Sequence, residues 1–427
     1  MINTSAMSDP IKSILNDTLF LAKTLDLFDG FRVPGKDYRI IACQASEEVA
    51  KKYSDVYIDE VVKGERTYTT SMRFLDIMQN SPEFKKNIDS KYIWTYQAYP
   101  WTNDLTYSGK TVFSIDYYLY LKLQNKLIQK KMLIEHASLL SGDVHKLREN
   151  FLASSKVLKT KIFPKQKNDY ETLQKEYSGT FVVCASSSNG GEGVFKISTK
   201  DEYHSALNGI GTPIIRTERY LENSIPLNQI GFILNNGTII KYKPSIQIIK
   251  PIHGNNKMEY AGCDFSSDRY LSNSYETFAN LTELTHCVGK ILFEMGYRGT
   301  FGCDYLAIDE DIHFIGLNPR YQASTLIPNL HLGNHEILAP HILHILGFVN
   351  FSTPHTEISK YADKKVFVDF LENDKPIGFL NVYDEKTDNI RRPNKRVKIE
   401  EGVSKGYLLY SKPIITSPFY PTKLKIT

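Results

Sequence analysis

The apolar positions of this chain fall into short runs separated by polar turns, with one long helical stripe late in the sequence. Residues 11–28 carry Leu15, Leu19, Leu21, Leu25 and Leu27, a pattern that predicts an amphipathic helix. Residues 38–43 read as a buried strand, 47–53 as a helix, 56–62 as a second strand, 74–78 as a helix and 92–96 as a further strand. Strand–helix–strand units of this length predict a small parallel α/β domain over residues 1–115. Residues 115–140 read as one helix through Leu119, Leu123, Leu127 and Leu133, and 145–175 as a helix and a lysine-rich linker. Two β-prone runs then flank residues 186–193. Residues 228–234 and 238–243 form a hairpin across Asn235-Asn236-Gly237, a strong turn signal. The Gly-, Asn- and Ser-rich stretch 253–270 reads as a loop. Residues 274–295 are a long helix with Phe278, Leu281, Leu284, Val288, Leu292 and Met295 on one face. Residues 305–308 and 312–317 make a second hairpin, and 365–370 and 378–382 alternate as strands do.

Composition narrows the picture only modestly. With 427 residues the chain is too long for one ordinary core, so two or three domains are expected. Hydrophobic residues at 41% and charged residues at 23% fit a soluble globular protein. A net charge of +4 gives no reason to expect nucleic acid or a membrane as partner. Cys43, Cys184, Cys263, Cys287 and Cys303 are scattered without C-x-x-C spacing, which argues against a zinc site or a disulfide framework and fits a reducing cytoplasm. The first residues show no basic region followed by an apolar run, and no apolar run is long enough to span a bilayer.

The candidate chemistry sits in the second hairpin. With its turn centred on Asp311, Asp304 lies opposite Asn318 and Leu306 opposite Gly316, so Asp304, Gly316 and Asn318 share one face. A carboxylate beside a carboxamide, with Arg320 just beyond, is an oxygen-rich pocket next to a fixed cation, suited to Mg²⁺ on a nucleotide phosphate. Taken alone, this is equally an ordinary hairpin whose Asn-Pro begins a turn. The stretch Ser186-Ser187-Ser188-Asn189-Gly190-Gly191-Glu192-Gly193 is a turn whose consecutive N–H groups are able to cradle phosphate oxygens, although hairpin turns use glycine anyway. Lys126, Lys130 and Lys131 lie on the polar side of their helix, where solvation is the ordinary explanation. His331, His335, His341 and His344 include an H-x3-H spacing; packing and capping are the ordinary roles of such histidines, and no cysteine or H-E-x-x-H accompanies them.

In order along the chain, Asn125-Lys126, the glycine turn 186–193, the run 214–222, Gly296-Tyr297-Arg298-Gly299, Asp304 and Asn318-Pro319-Arg320 resemble the motifs of the ATP-grasp superfamily over about residues 115–335. That resemblance implies an α/β (α+β) fold: an N-terminal parallel-sheet pre-ATP-grasp domain (1–115), a two-lobed ATP-grasp domain (116–345) and a small β-rich C-terminal region (346–427). It implies ATP and Mg²⁺ as cofactors and a cytoplasmic ligase that activates a carboxylate as an acyl phosphate and joins it to an amine. The partners are then small-molecule or peptide substrates, and a homodimer stays open. Carried over residue by residue, Lys126 reaches the phosphates, Ser187, Ser188, Gly190, Gly191 and Gly193 cover them, and Glu218, Tyr220 and Leu221 meet the adenosine. Gln247 stands near the phosphates or is merely a polar residue at a strand edge. Asp304 and Asn318 hold the metal, and Arg320 and Lys126 offset negative charge during transfer. Ser324 and Thr325 are candidates for the substrate carboxylate. Two positions depart from the pattern. Cys184 stands where most members have lysine, with Lys196 a candidate for part of the missing charge, and Gly316 stands where they have a metal-binding glutamate. A nucleotide-binding regulatory or scaffold protein of the same descent is the alternative.

Overall fold

The computed structural model describes residues 9–25, 39–53, 56–62, 80–87, 89–138, 145–156, 160–167, 169–186, 193–251, 256–266, 274–308, 311–333, 335, 337–350, 355–363, 365–370, 375, 377–381, 396–398 and 407–410. They form a mixed α/β structure on three sheets. The first sheet is parallel, in the order β3-β2-β1-β4-β5, from β1 (Thr18–Thr24), β2 (Arg39–Ser46), β3 (Tyr57–Val62), β4 (Tyr92–Thr95) and β5 (Thr111–Phe113). The single helix expected over 11–28 is a correction. A short helix, Asp9–Asn16, ends before β1, the central strand. Leu19 and Leu21 are buried in one core cluster and Phe20 and Ala22 in another. A strand covered on both faces is apolar throughout, and periodicity alone does not separate it from a buried helix. The expected helix at 74–78 lies outside the described residues.

The second sheet is antiparallel, in the order β6-β9-β7-β8, from β6 (Lys161–Pro164), β7 (Phe181–Ala185), β8 (Val194–Ile197) and β9 (Ile214–Arg219). The stretch 145–175 is therefore a helix, a strand and a second helix, not a helix and a linker. One face of this sheet, Phe181, Val183, Phe195, Ile197 and Ile215, is buried against the helices Tyr170–Tyr177 and Lys200–Gly209 through Leu173, Tyr177, Tyr203 and Ala206. Alternation then turns Cys184, Arg216 and Glu218 to the other face.

The third sheet runs β15-β14-β10-β12-β13-β16-β18-β17, with β11 paired to β10. Its strands are β10 (Ile225–Ile233), β11 (Ile239–Lys241), β12 (Ser245–Pro251), β13 (Met258–Asp264), β14 (Gly299–Ile308), β15 (Asp311–Asn318), β16 (Gly378–Asn381), β17 (Arg396–Lys398) and β18 (Tyr407–Tyr410). The loop expected at 253–270 contains β13, an interior strand despite its glycine and polar residues, because it is paired on both edges. Of the strand expected at 365–370, the bridge Val368–Tyr242 forms. The helix Ser274–Glu294 lays Leu281, Val288, Ile291 and Leu292 against Phe301, Cys303, Tyr305 and Phe314. Among the described residues, no helix is long and apolar enough to cross a membrane. All five cysteines are free and buried.

His344 ties the first sheet to the third. Its Nδ1 accepts from the Thr300 N–H at 3.1 Å and its Nε2 contacts the Phe113 carbonyl at 2.8 Å, while its ring meets Trp94, Tyr321 and Phe348. With Nδ1 accepting, Nε2 carries the proton, so the ring is neutral. Burial lowers its pKa from 6.5 to about 4, opposed by the Phe113 contact. A histidine kept neutral by the fold binds its proton more readily in the unfolded chain. Stability from this group is therefore complete above pH 6.5 and lost progressively as pH falls toward 4, by about 3 kcal/mol in all. Urea unfolding from pH 7.5 to 4.0 should show a steeper loss in the wild type than in His344→Gln. Equal slopes would contradict the neutral, buried imidazole.

Candidate functional site

The hairpin of β14 and β15 is tighter than the sequence suggested. Ile308 pairs with Asp311, so the pairing is not centred on Asp311, and a bulge between Asp304 and Tyr305 shifts the register. Asp304 consequently faces Gly316, and Gly302 faces Asn318, in place of the expected Asp304–Asn318 and Leu306–Gly316 pairs. The bulge inserts one residue on the β15 side, so alternation still leaves Asp304, Gly316 and Asn318 on one face.

On that face Asp304 is held by carboxamides. Its Oδ1 accepts from Asn228 Nδ2 at 2.8 Å and Gln247 Nε2 at 3.0 Å, and its Oδ2 accepts from Asn318 Nδ2 at 2.8 Å. Gln322 closes the cluster: its Oε1 accepts from Asn228 at 2.9 Å and Asn318 at 3.1 Å. The Nε2 of Gln322 is buried and has no hydrogen-bond partner, a vacant donor beside the carboxylate. Gly302 makes room for it, since a Cβ there would lie 1.6 Å from Gln322 Nε2. Ser324 Oγ donates to Asn228 Oδ1 at 3.3 Å and so braces this network, while Thr325 Oγ1 accepts from the Gln322 N–H.

Lys126 reaches the same place from another element. The helix expected over 115–140 is two helices, Tyr117–Gln124 and Gln129–Ala137, and Lys126 lies in the break. Asn125 makes the break by accepting the Leu127 N–H on its side chain at 3.0 Å, a local bond that competes with helix. β15 is an edge strand, and its outward backbone groups at Leu317 are satisfied from this break. Gln129 accepts the Leu317 N–H at 2.8 Å and donates to the Leu317 carbonyl at 2.7 Å, and Lys126 Nζ donates to the same carbonyl at 2.7 Å. A Cβ at Gly316 would stand 3.5 Å from Lys126 Nζ and 3.9 Å from Asp304 Oδ2, ordinary contact distances. Burial lowers the Lys126 pKa to about 8, with Arg216 and Arg320 adding to the fall and Asp304 opposing it. Arg320 Nη1 donates to the Tyr321 carbonyl at 2.8 Å and meets the Tyr96 hydroxyl at 3.5 Å.

The second sheet supplies the opposite wall. Arg216 is 8% exposed, Glu218 6% and Cys184 4%. Arg216 donates from Nη1 to the Lys126 carbonyl at 3.0 Å, and its Nη2 lies 3.6 Å from Glu218 Oε2 and 3.8 Å from Cys184 Sγ. Thr160 donates to Glu218 Oε1 at 2.6 Å. Burial raises the Cys184 pKa, opposed by Arg216, so the thiol adds no charge at neutral pH.

Lys126, Gln247, Asp304, Asn318 and Arg320 therefore converge, and Glu218 joins them through Arg216. Tyr220 belongs to a separate group at the end of β9, with Lys196 Nζ 4.0 Å from its ring centroid and 3.3 Å from Glu222. Lys196 is thus committed to that group. Leu221 is buried beside it in sequence. Ser187, Ser188, Gly190 and Gly191 lie outside the described residues; Gly193 accepts the Ala185 N–H at 2.8 Å. Of the histidines, His344 is a packing residue, and His335 Nδ1 accepts the Ile337 and Leu338 N–H groups. Among the described residues, no group of three His, Cys, Asp or Glu side chains is placed to hold a metal. Asn228, Gln322, Gln129 and Arg216 are the site members that sequence reasoning missed. For Arg216 the signal was present: two residues before Glu218 on a strand, it shares that residue's face.

No protein-family model matches the chain, and neither does any curated protein. Solved structures do match. N5-carboxyaminoimidazole synthetase from Staphylococcus aureus, complexed with ADP, is 14% identical, with a TM-score of 0.53 over 86% of this chain and 82% of that one. The biotin carboxylase domain of 2-oxoglutarate carboxylase from Hydrogenobacter thermophilus, in complex with MgADP, ADP and bicarbonate, is 14% identical, with a TM-score of 0.53 over 79% of this chain and 71% of that one. Biotin carboxylase from Campylobacter jejuni is 14% identical, with a TM-score of 0.51 over 79% and 72%. With its parallel N-terminal sheet, an antiparallel second sheet and a largely antiparallel third sheet that meet around Lys126, the chain shares the fold of these synthetase and biotin carboxylase structures, in keeping with the fold expected from its resemblance to the ATP-grasp superfamily.

Proposed function

We propose that this chain is an ATP-dependent ligase that activates a carboxylate as an acyl phosphate and joins it to an amine, its domains dividing as 1–115, 116–345 and 346–427. The observation that carries the reading is the convergence of Lys126, Asp304, Asn318 and Arg320 on one hairpin face. The neighbours solved with ADP support it. A substrate carboxylate oxygen bonds to the γ-phosphorus as ADP leaves; the amine then attacks the acyl carbon and inorganic phosphate leaves. Arg320 and Lys126 offset the charge on the transferring phosphoryl group, since fixed cations aimed at developing charge are the main device for such transfer. Glu218, Tyr220 and Leu221 bound the adenosine end, and Ser187, Ser188, Gly190, Gly191 and Gly193 cover the phosphates. The setting is the cytoplasm, and the substrates are small molecules or peptides.

The residues present suit a magnesium nucleotide. Mg²⁺ keeps several waters and takes one or two carboxylates plus substrate phosphates, so it needs no protein cage. Asp304 and the Asn318 carboxamide would hold it, and when bound it neutralises phosphate charge. Gln247 fixes the Asp304 carboxylate. Gly316 favours a second reading, in which nucleotide binds without turnover, because position 316 carries no carboxylate and Asp311, which shares this face, stands at the far end of the hairpin opposite Ile308.

MgATP should raise the melting temperature by several degrees, as a ligand specific for the folded state does. Lys126→Ala should remove most of the shift. Because the Lys126 amine must be charged to hold phosphate, ATP affinity should fall as pH rises through about 8, and Lys126→Arg should flatten that profile. No melting shift at millimolar MgATP would reject nucleotide binding.

Gly316→Glu tests the metal. Its Cβ fits, and its carboxylate would lie near both Asp304 and Lys126. The Mg²⁺ dependence of ATP affinity should steepen in this variant and flatten in Asp304→Asn. An identical dependence in all three proteins would place the metal elsewhere. Release of ADP with candidate carboxylates and amines separates the ligase from the non-catalytic reading.

A further inference from the structure

Cys184 and Arg216 are direct register partners on adjacent antiparallel strands, and both side chains turn away from the packed face of the second sheet. Arg216 is more than nine-tenths buried, and its guanidinium is not used up by the protein. Nη1 donates to the Lys126 carbonyl, Nη2 faces a neutral thiol at 3.8 Å and Glu218 at 3.6 Å, and Nε is buried with no hydrogen-bond partner. A buried donor without an acceptor is costly unless a ligand supplies one. The charges point the same way. Lys126, Lys130, Arg216 and Arg320 gather around Asp304 and Glu218, two more cations than carboxylates among these six groups. Glu218 is shared between Arg216, Lys130 and the Thr160 hydroxyl, so it neutralises Arg216 only in part. A buried excess of positive charge of this kind is a site for a multiply charged anion.

We propose that Arg216 binds the polyphosphate of the nucleotide, delivering from β9 a cation that the facing position, Cys184, does not provide. This rests on the ATP reading and assigns that reading a residue not drawn from the superfamily pattern. The Arg216–Lys126 bond brings two cations from different elements to the phosphates, and the forked guanidinium is matched to phosphate oxygens.

The experiment compares adenosine, AMP, ADP and ATP, and inorganic triphosphate alone, by calorimetry on the wild type, Arg216→Met, and Arg216→Met combined with Cys184→Lys. Thermal unfolding without ligand checks that each variant is folded. Arg216→Met should weaken ADP, ATP and triphosphate by about tenfold to a hundredfold while changing adenosine by less than about threefold. Cys184→Lys should restore most of the lost ATP affinity, because it puts a cation on the same face one strand away. Equal losses for adenosine and ATP would make Arg216 a structural tie between β9 and Lys126, and overturn the proposal. So would unchanged ATP affinity in Arg216→Met, or a folded double variant with no recovery. A wild type that binds none of these ligands fails earlier: it rejects the ATP reading itself, and this assignment with it.

Discussion

The arrangement depends on keeping two carboxylates, Asp304 and Glu218, and several cations close together and largely shielded from water. Alone, either sign of charge would be too costly to bury. Asp304 is stabilised by three carboxamide donors, and Lys126 by a backbone carbonyl that an edge strand would otherwise leave unsatisfied. Each strand of the third sheet that borders the site contributes to this arrangement. β10 brings Asn228, β12 brings Gln247, β14 brings Asp304, and β15 brings Asn318 and the Leu317 carbonyl. The sheet order β15-β14-β10-β12 sets these four strands side by side, so residues far apart in sequence meet without any long loop.

The fold was legible where its signals are local. The Asn-Asn-Gly turn, the stripe of the helix Ser274–Glu294 and the parallel units of the first sheet are written in short-range pattern. It was illegible where burial is two-sided. β1 looked helical because both its faces are covered, and β13 looked like a loop because neighbouring strands satisfy a backbone whose side chains give no alternation. The site divides in the same way. Asp304, Asn318, Arg320 and Lys126 stand in motifs that resemble a known pattern. Asn228, Gln322 and Gln129 act through contacts across 76, 94 and 188 positions of sequence, and no spacing rule reports such contacts. The hairpin register failed because the strands close with Ile308 against Asp311 instead of around Asp311, and one bulge, an irregularity that pattern counting does not contain, then moves the Asp304 pairing by a further residue and restores the shared face.

The two departures from the superfamily pattern are of opposite charge. Glycine at 316 lacks a carboxylate, and cysteine at 184 lacks an ammonium. Taken together they leave the net charge of the pocket unchanged, so neither alone indicates whether phosphate binding has been lost. Geometry separates them. At 316 nothing takes the carboxylate's place, and the nearest charged atom to the missing side chain is the Lys126 amine. At 184 the facing residue is Arg216, whose guanidinium lies beside the thiol. The anionic side of the pocket is therefore reduced while the cationic side is kept. On the proposed reading, such a site holds nucleotide more through fixed side-chain cations and less through a protein-bound metal. Arg216 is bonded to the Lys126 carbonyl and Lys126 to the Leu317 carbonyl of β15, so the cationic arrangement is built before any ligand arrives. Preorganised cations need no reorganisation at the moment of phosphoryl transfer, which is the condition under which they lower the barrier most.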